Sequence, residues 1–243
     1  MQNEDPSRED TPADIATRPS RSNGKRLLAV ILILASLGIA FGGWPAMTKW
    51  IDQRKMAASQ QNLERIGQAI MRYETKNRLL PPVYEVSKVG SPTLSWRVLL
   101  LPYLGENGLY EQFHLDEPWD STHNRTLLDR MPAVYRSPYH ATADATLASY
   151  VVPIDPKAAL TAPPKPFHMV VDGMNKTIMA LELREPKTPW TAPDNLMTDD
   201  ILRINAGQRN LVLFGDAKAV ELDFDDSKAV RAAITINGRE EEK

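Results

Sequence analysis

The sequence predicts an α+β fold: an N-terminal transmembrane helix continuing into an amphipathic stem helix, a helical middle region and a C-terminal antiparallel sheet. Three observations carry that expectation. Leu27 to Gly43 is an uncharged apolar run of seventeen residues. Leu63, Ile66, Ile70 and Tyr73 recur at steps of three and four, which draws one apolar stripe on a helix. From Leu147 onward the chain turns to short runs of strand composition: "SYVVPI", "FHMVV", "TIMALEL", "NLVLF" and "AVELDF".

Residues 1–26 are polar, with five charges of each sign, and cannot bury enough surface to offset their ordering entropy, which predicts a disordered tail. The apolar run that follows spans about 26 Å at ~1.5 Å per residue, near the short end for a bilayer crossing. Trp44 suits the interfacial belt, and Lys25 and Arg26 stand at the opposite edge, so residues 27–44 are expected to be a single membrane span. A cleaved signal peptide is the competing reading, with Gly38-Ile39-Ala40 as its small-x-small site. The 26-residue leader and the length of the apolar run favour the retained anchor. Arg18, Arg21, Lys25 and Arg26 precede the span and Lys49, Arg54 and Lys55 follow it, a bias toward a cytoplasmic N-terminus. The body, 45–236, is then expected outside the inner membrane, followed by a solvated tail at 237–243.

Composition narrows the function. Beyond residue 26 there are 24 basic and 26 acidic residues, a nearly neutral body without the concentrated positive field that nucleic-acid binding requires. The chain has no cysteine, which removes thiolate catalysis, thiolate-bound zinc, iron–sulfur clusters and disulfides. No cofactor is expected. None of the G-x-S-x-G, H-E-x-x-H, P-loop or dinucleotide fingerprints occurs.

An apolar span running into an amphipathic helix is the layout of a pilin-like stem. "NLERIGQAIMRYETKNRLLPP" resembles the opening of the bacterial pilin-like (type II secretion pseudopilin-like) family catalogued as domain of unknown function 1559, with its N-L-K-Q-I-G-x-A helix, Tyr and proline pair. "SWRVLLLPYLGENGLYEQFHLDEPWDSTHNRTLLDRMPAVYRSP" is similar to the family nearly residue for residue. It contains Trp96, Arg97, Pro102, Asp116, Glu117, Trp119, Asp120, His123 and Asn124. "DGMNKT", with Asp172 and Gly173, resembles the family's D-G-x-S-N-T turn. "PWTAPDNL" and "LVLFGDAKAVEL" resemble its later segments, so the resemblance runs from about Ser59 to Leu222. Two departures stand out. Family members carry a Cys before the N-N-L motif and another in Y-R-C-P, where this chain has Ser59 and Ser137; their joint loss is what a working pair would show. The prepilin leader G-F-T-L-x-E is also absent, which argues against prepilin processing and favours the anchor.

Within the middle region Ser95 suits an N-cap for a short helix that Pro102 ends or bends. "ENGLYEQF" reads as a further helical turn or two. Asp120 or Ser121 caps an expected helix at 121–131 that buries Leu127, Leu128 and Met131. "VDGMNK" and "FGDAK" read as hairpin turns. Residues 184–200, with three prolines, read as a loop, and "SKAVRAAI" as a closing helix.

The densest polar cluster is "LDEPWDSTHN". Asp116, Glu117, Asp120 and His123 have metal-ligand chemistry, but their spacing matches no rigid ligand scheme. No nucleophile or oxyanion donor accompanies Asp120 and His123. The acids and His123 and Asn124 are therefore expected to cap and satisfy backbone, and Trp119 to fill the core. No catalytic or metal residue is assigned. Trp190, with Asp194, is the one candidate platform for a ligand, set against the commoner use of such a Trp to pin a long loop to the body. The expected function is a single-pass membrane-anchored protein in a structural or interaction role, with other pilin-like or envelope proteins as partners. The alternatives are a sugar- or peptide-binding module at Trp190 and, behind it, an anchored hydrolase at Asp120 and His123.

Overall fold

The computed structural model describes residues 28–32, 44–140, 144–193 and 196–237. The predicted span at 27–44 therefore falls largely outside the described residues, although 28–32 are helical. Among the described residues no helix is long and apolar enough to cross a membrane. The chain divides into two compact units, Met1–Ile51 and Asp52–Lys243.

Helix α1 runs over Trp44–Asn77. Pro45 lies in its first turn, where a missing N–H removes no helical bond. It ends where Arg78 turns to φ 62 and returns its N–H to the Glu74 carbonyl at 2.7 Å, just before Pro81-Pro82. The predicted stripe is its buried face: Leu63, Ile66 and Ile70 are buried, and Tyr73 packs at the edge of the same core.

A small hairpin follows, β1 (Tyr84–Val86) with β2 (Pro92–Ser95), then short helices α2 (Trp96–Leu99) and α3 (Asn107–Tyr110). Ser95 caps α2 as expected, its Oγ accepting from the Arg97 N–H at 3.2 Å. Pro102 begins a 3-10 turn at Leu101–Leu104, so the α-helix stops where predicted. The helix expected at 121–131 is a 3-10 helix, Asn124–Arg130, that buries Leu127 and partly buries Leu128.

The second half builds a four-stranded antiparallel sheet in the order β3 (Tyr150–Val151), β4 (Ile178–Glu182), β5 (Arg209–Phe214), β6 (Ala219–Asp223). Tyr150 pairs with Glu182, and Leu211 with Glu221. On β5 the alternation is two-sided: Leu211 and Leu213 join the α1 core, and Val212 joins the opposite one. That opposite face is covered by α4 (Thr198–Asn205) and α5 (Ser227–Ile234) through Ile201, Leu202, Val230 and Ile234. The body is thus α+β with three layers: the stem, the sheet, and two amphipathic helices.

Gly67 sets the approach of stem to sheet. A Cβ there would lie 2.8 Å from both the Ala217 Cα and the Leu213 Cδ1, so only glycine lets the β5–β6 hairpin come this close. The glycine of the I-G-x-A motif is a packing residue.

Three local expectations are corrected. "FHMVV" is no strand: Phe167–Met169 forms a 3-10 turn after Pro166, and Val171 faces solvent. "VDGMNK" consequently joins no two strands of a hairpin, although it does turn, with Gly173 at φ 89 and its N–H on the Val170 carbonyl. The 184–200 stretch is not all loop, because α4 begins at Thr198 with Asp199 and Asp200 in its first turn, where the helix dipole favours acids.

Candidate functional site

The family-like middle block is built of bonds that close on the fold. Arg97 is fully buried. Its Nε and Nη2 both donate to the Tyr150 carbonyl, at 3.1 and 2.5 Å, and Nη1 donates to Ser95 Oγ at 2.9 Å. Its guanidinium also lies over the Trp96 ring, 4.7 Å from the centroid. Trp96 meets Tyr135 edge-on, and the Tyr135 hydroxyl donates to the Arg97 carbonyl at 2.7 Å.

The loop "LDEPWDSTHN" is likewise self-contained. Asn124 is buried at its centre. Its Oδ1 accepts the His114 N–H at 3.0 Å, and its Nδ2 donates to the carbonyls of His114, Pro118 and Glu117 at 2.9, 3.1 and 3.3 Å. His114 and His123 stack, with centroids 3.7 Å apart. His123 Nε2 bonds the Gln112 carbonyl at 2.7 Å, and His114 Nδ1 bonds Glu117 at 2.8 Å. That His114 bond, followed by one from Ser121, holds the Glu117 carboxyl below the usual carboxylate range. Neither Asp120 nor Ser121 caps the 3-10 helix, whose N-cap is His123 without a side-chain cap bond, although Ser121 Oγ accepts the Asn124 N–H at 3.0 Å. Asp116 and Asp120 are exposed. Trp119 is only half-buried against the core, not inside it. Among the described residues no group of three His, Asp or Glu side chains is arranged to hold a metal.

Trp190 as an exposed platform is corrected. Its ring is fully buried, edge-on to Phe113 at 5.7 Å and stacked on Tyr135 at 6.2 Å, and its Nε1–H donates to the Leu128 carbonyl at 2.8 Å. Every part of the ring is used in pinning the long loop to the body. Asp194 lies outside the described residues. Asp172 and Gly173 serve the turn already described.

The polar node that sequence reading missed centres on Tyr150. Arg97 holds its carbonyl, while its hydroxyl lies 2.8 Å from Ser59 Oγ, and Ser59 Oγ donates to Glu182 Oε2 at 2.8 Å. Burial pushes the Tyr150 hydroxyl up to about 12, so it remains a donor at neutral pH, and the proton order runs Tyr150 to Ser59 to Glu182. Asn62, on the next turn of the stem, donates from Nδ2 to the Tyr150 hydroxyl at 3.5 Å and to the Arg136 carbonyl at 3.0 Å. Ser59 and Ser137, the two positions where the family pattern has cysteines, are thus both drawn toward this node, Ser59 through Tyr150 and Ser137 through Ser149. Ser149 accepts the Ser137 N–H at 2.9 Å and bonds His140 Nδ1 at 3.0 Å, and His140 Nε2 reaches the Arg184 carbonyl at 2.6 Å.

This node forms one wall of a cavity of about 480 Å³ between the stem and the sheet. Glu182, only 6% exposed, is at its floor, with Met56 and Leu211 as apolar wall. Asp52, Arg184, Arg209 and Glu221 stand at the solvent-facing side. Arg209 is already matched, its Nη1 3.9 Å from Glu221 and its Nε 4.0 Å from Asp223. Arg184 donates to the Arg209 carbonyl at 3.3 Å, a neutral acceptor.

These features define a stem-on-sheet α+β domain whose motif residues act as scaffold. Residues 54–165 match the model of the SBP_bac_10 family, described as a protein of unknown function (DUF1559). Among curated proteins and among solved structures, none matches the chain.

Proposed function

We propose that the chain is a single-pass membrane-anchored protein whose pilin-like, extracytoplasmic domain has a structural or protein-interaction role, with other pilin-like or envelope proteins as partners. The change of burial along α1 carries this reading. Trp50 and Met47 are 53% and 58% exposed, whereas Leu63 and Ile66 are fully buried. A helix that exposes large apolar side chains in its N-terminal part and docks its C-terminal part is suited to leaving a membrane and seating a domain. The scaffold use of the family-like block supports a non-catalytic role, since Arg97, Asn124 and Trp190 spend their polar groups on backbone carbonyls.

Because the chain has no cysteine, single cysteines report topology cleanly. In intact cells a membrane-impermeant maleimide should label Asn107→Cys and leave Ser7→Cys unlabelled, and the protein should stay in the membrane pellet after an alkaline wash. Labelling at position 7 alone, or release by the wash, would overturn the reading.

A further inference from the structure

We propose that the cavity between α1 and the sheet, where β4 ends and β5 begins, binds a small zwitterion, an amino acid or short peptide entering amine first, with its ammonium on Glu182 and its carboxylate toward Arg184. This goes beyond the structural role proposed above and does not depend on the anchor.

The floor of the cavity carries the chemistry. Glu182 is more than nine-tenths buried, and its Oε2 is fixed by Ser59. Its other oxygen, Oε1, accepts no hydrogen bond among the described residues, although the side chain lines the cavity. A buried carboxylate with one oxygen anchored and one unused is strongly stabilised by a cation that brings its own donors, and an ammonium brings three. Fixing that oxygen takes three separate elements: Arg97 on the Tyr150 carbonyl, Tyr150 opposite Glu182 in the sheet, and Ser59 from the stem. The acceptor is therefore held in place before any ligand arrives, which lowers the cost of binding.

Polarity along the cavity selects the ligand. Asp52 adds a second acidic group near the entrance, which favours a cation over a neutral sugar. Arg209 is matched by Glu221 and Asp223, but among the described residues the guanidinium of Arg184, two residues beyond Glu182, has only the Arg209 carbonyl. Glu182 closes β4 and Arg184 follows two residues later, so both line the same cavity. A bidentate guanidinium is the natural acceptor of the ligand carboxylate. A volume of about 480 Å³ lies within the range of small-molecule pockets and holds an amino acid or dipeptide with room for its side chain beside Met56 and Leu211.

The test uses the full chain in detergent and titration calorimetry with free amino acids of each side-chain class and with glycylglycine. Each is compared with its N-acetylated and its carboxamide form. Saturable binding of at least one zwitterion is expected, weakened about 10- to 100-fold by N-acetylation, by amidation, and by Glu182→Gln or Arg184→Gln. Glu111→Gln, away from the cavity, should bind as the parent does. Because Glu182→Gln touches a buried node, Asp52→Asn serves as a second variant. It leaves the node intact and should weaken binding several-fold with an unchanged melting curve. No binding by any zwitterion overturns the proposal. So does binding that survives acetylation, or amides that bind as well as the acids. Failure here leaves the labelling result for the anchor untouched, so the two readings fall separately.

Discussion

Two polar regions of this body look alike in composition and differ in construction. The 114–124 loop gathers three carboxylates, two histidines and an asparagine in eleven consecutive residues, and it closes on itself: Asn124 satisfies the loop backbone, and the stacked histidines reach Gln112 and Glu117. The Tyr150 node draws Ser59, Tyr150 and Glu182 together from positions 91 and 123 residues apart. Its last member, Glu182, keeps a carboxylate oxygen that accepts no hydrogen bond among the described residues, at the floor of a cavity. A cluster that is local in sequence has its backbone to satisfy first, and its polar groups are consumed there. A cluster assembled from distant elements can leave an acceptor for something else.

The sharpest way to separate the two regions is to undock the stem. Ile66→Asp places a carboxylate in the fully buried stripe between α1 and the sheet. The cost is several kcal/mol, or a strongly raised pKa at that site. Thermal melts followed by tryptophan fluorescence should show a large loss of stability, and the cavity and node should be lost with it. An unchanged melting temperature would mean that the stripe does not hold stem to sheet.

Next comes the loop itself. Asn124→Ala removes one acceptor and two donor groups from a buried centre and strands the His114 N–H and several carbonyls, for about 3 kcal/mol. Hydrogen exchange should then rise over 114–118 while Tyr150 and Glu182 keep their protection. If exchange rises equally at the node, the two regions are one cooperative unit and the contrast fails.

Ser59→Ala acts on the node alone. It leaves the Tyr150 hydroxyl and Glu182 Oε2 short of a partner in a buried setting, at about 2 kcal/mol. Ser59→Cys with Ser137→Cys gives the complementary result: since Asn62 of the stem bonds both the Arg136 carbonyl and the Tyr150 hydroxyl that Ser59 holds, the double variant should form a disulfide under oxidation and melt higher than its reduced form. Free thiols that persist after oxidation would show that the two positions do not approach closely.

Much of the fold was legible because its signals are periodic. The stem stripe, the Ser95 cap, the stop at Pro102, four of the strands and the closing helix were found, since each follows from spacing or a capping residue. "FHMVV" misled because strand composition reports half-buried packing, not a backbone partner, and Pro166 with a 3-10 turn takes that backbone elsewhere. α4 was readable and missed: Asp199 and Asp200 mark a helix start, and Ile201, Leu202 and Asn205 share its buried face. At the site, the serine pair was the only trace of the node in the sequence. Glu182 inside "TIMALEL" reads as an outward strand residue, and nothing local tells that the stem comes down over it. Trp190 was visible as an aromatic in a loop, but its burial depends on Phe113 and Tyr135 from distant segments.

Trp119 tests how far the loop contributes to the core. The ring is half-buried, so Trp119→Ala should cost about 1.5 kcal/mol, less than the ~3–5 kcal/mol of a fully buried aromatic. A loss near the upper figure in denaturant melts would place the loop inside the core rather than on it. Asp120→Ala, with an exposed carboxylate that caps nothing, should be neutral within error.

The smallest measurable effect is a gain. Ala217 closes the β5–β6 hairpin at φ 64, where a Cβ crowds its own backbone. The turn is otherwise complete, with the Phe214 N–H on the Lys218 carbonyl at 2.9 Å and the Lys218 N–H on Asp216 Oδ1 at 3.2 Å. The same Cβ also faces Gly67, since a side chain there would meet it at 2.9 Å. Ala217→Gly relieves the left-handed strain but loosens the unfolded chain and thins the contact with the stem. Relief of the strain outweighs both losses, and the variant should gain about 0.5 kcal/mol in denaturant melts. The hairpin also presents the Ala219 carbonyl to Gln60 of the stem at 2.9 Å, and Gln60 is the residue next to Ser59. A gain confined to stability, with zwitterion binding unchanged, is the result expected if the node is held by Arg97 and Ser59 alone. A change in binding from this turn would show that the hairpin helps set the height of the stem over Glu182, and that the node reaches further into the fold than its hydrogen bonds do.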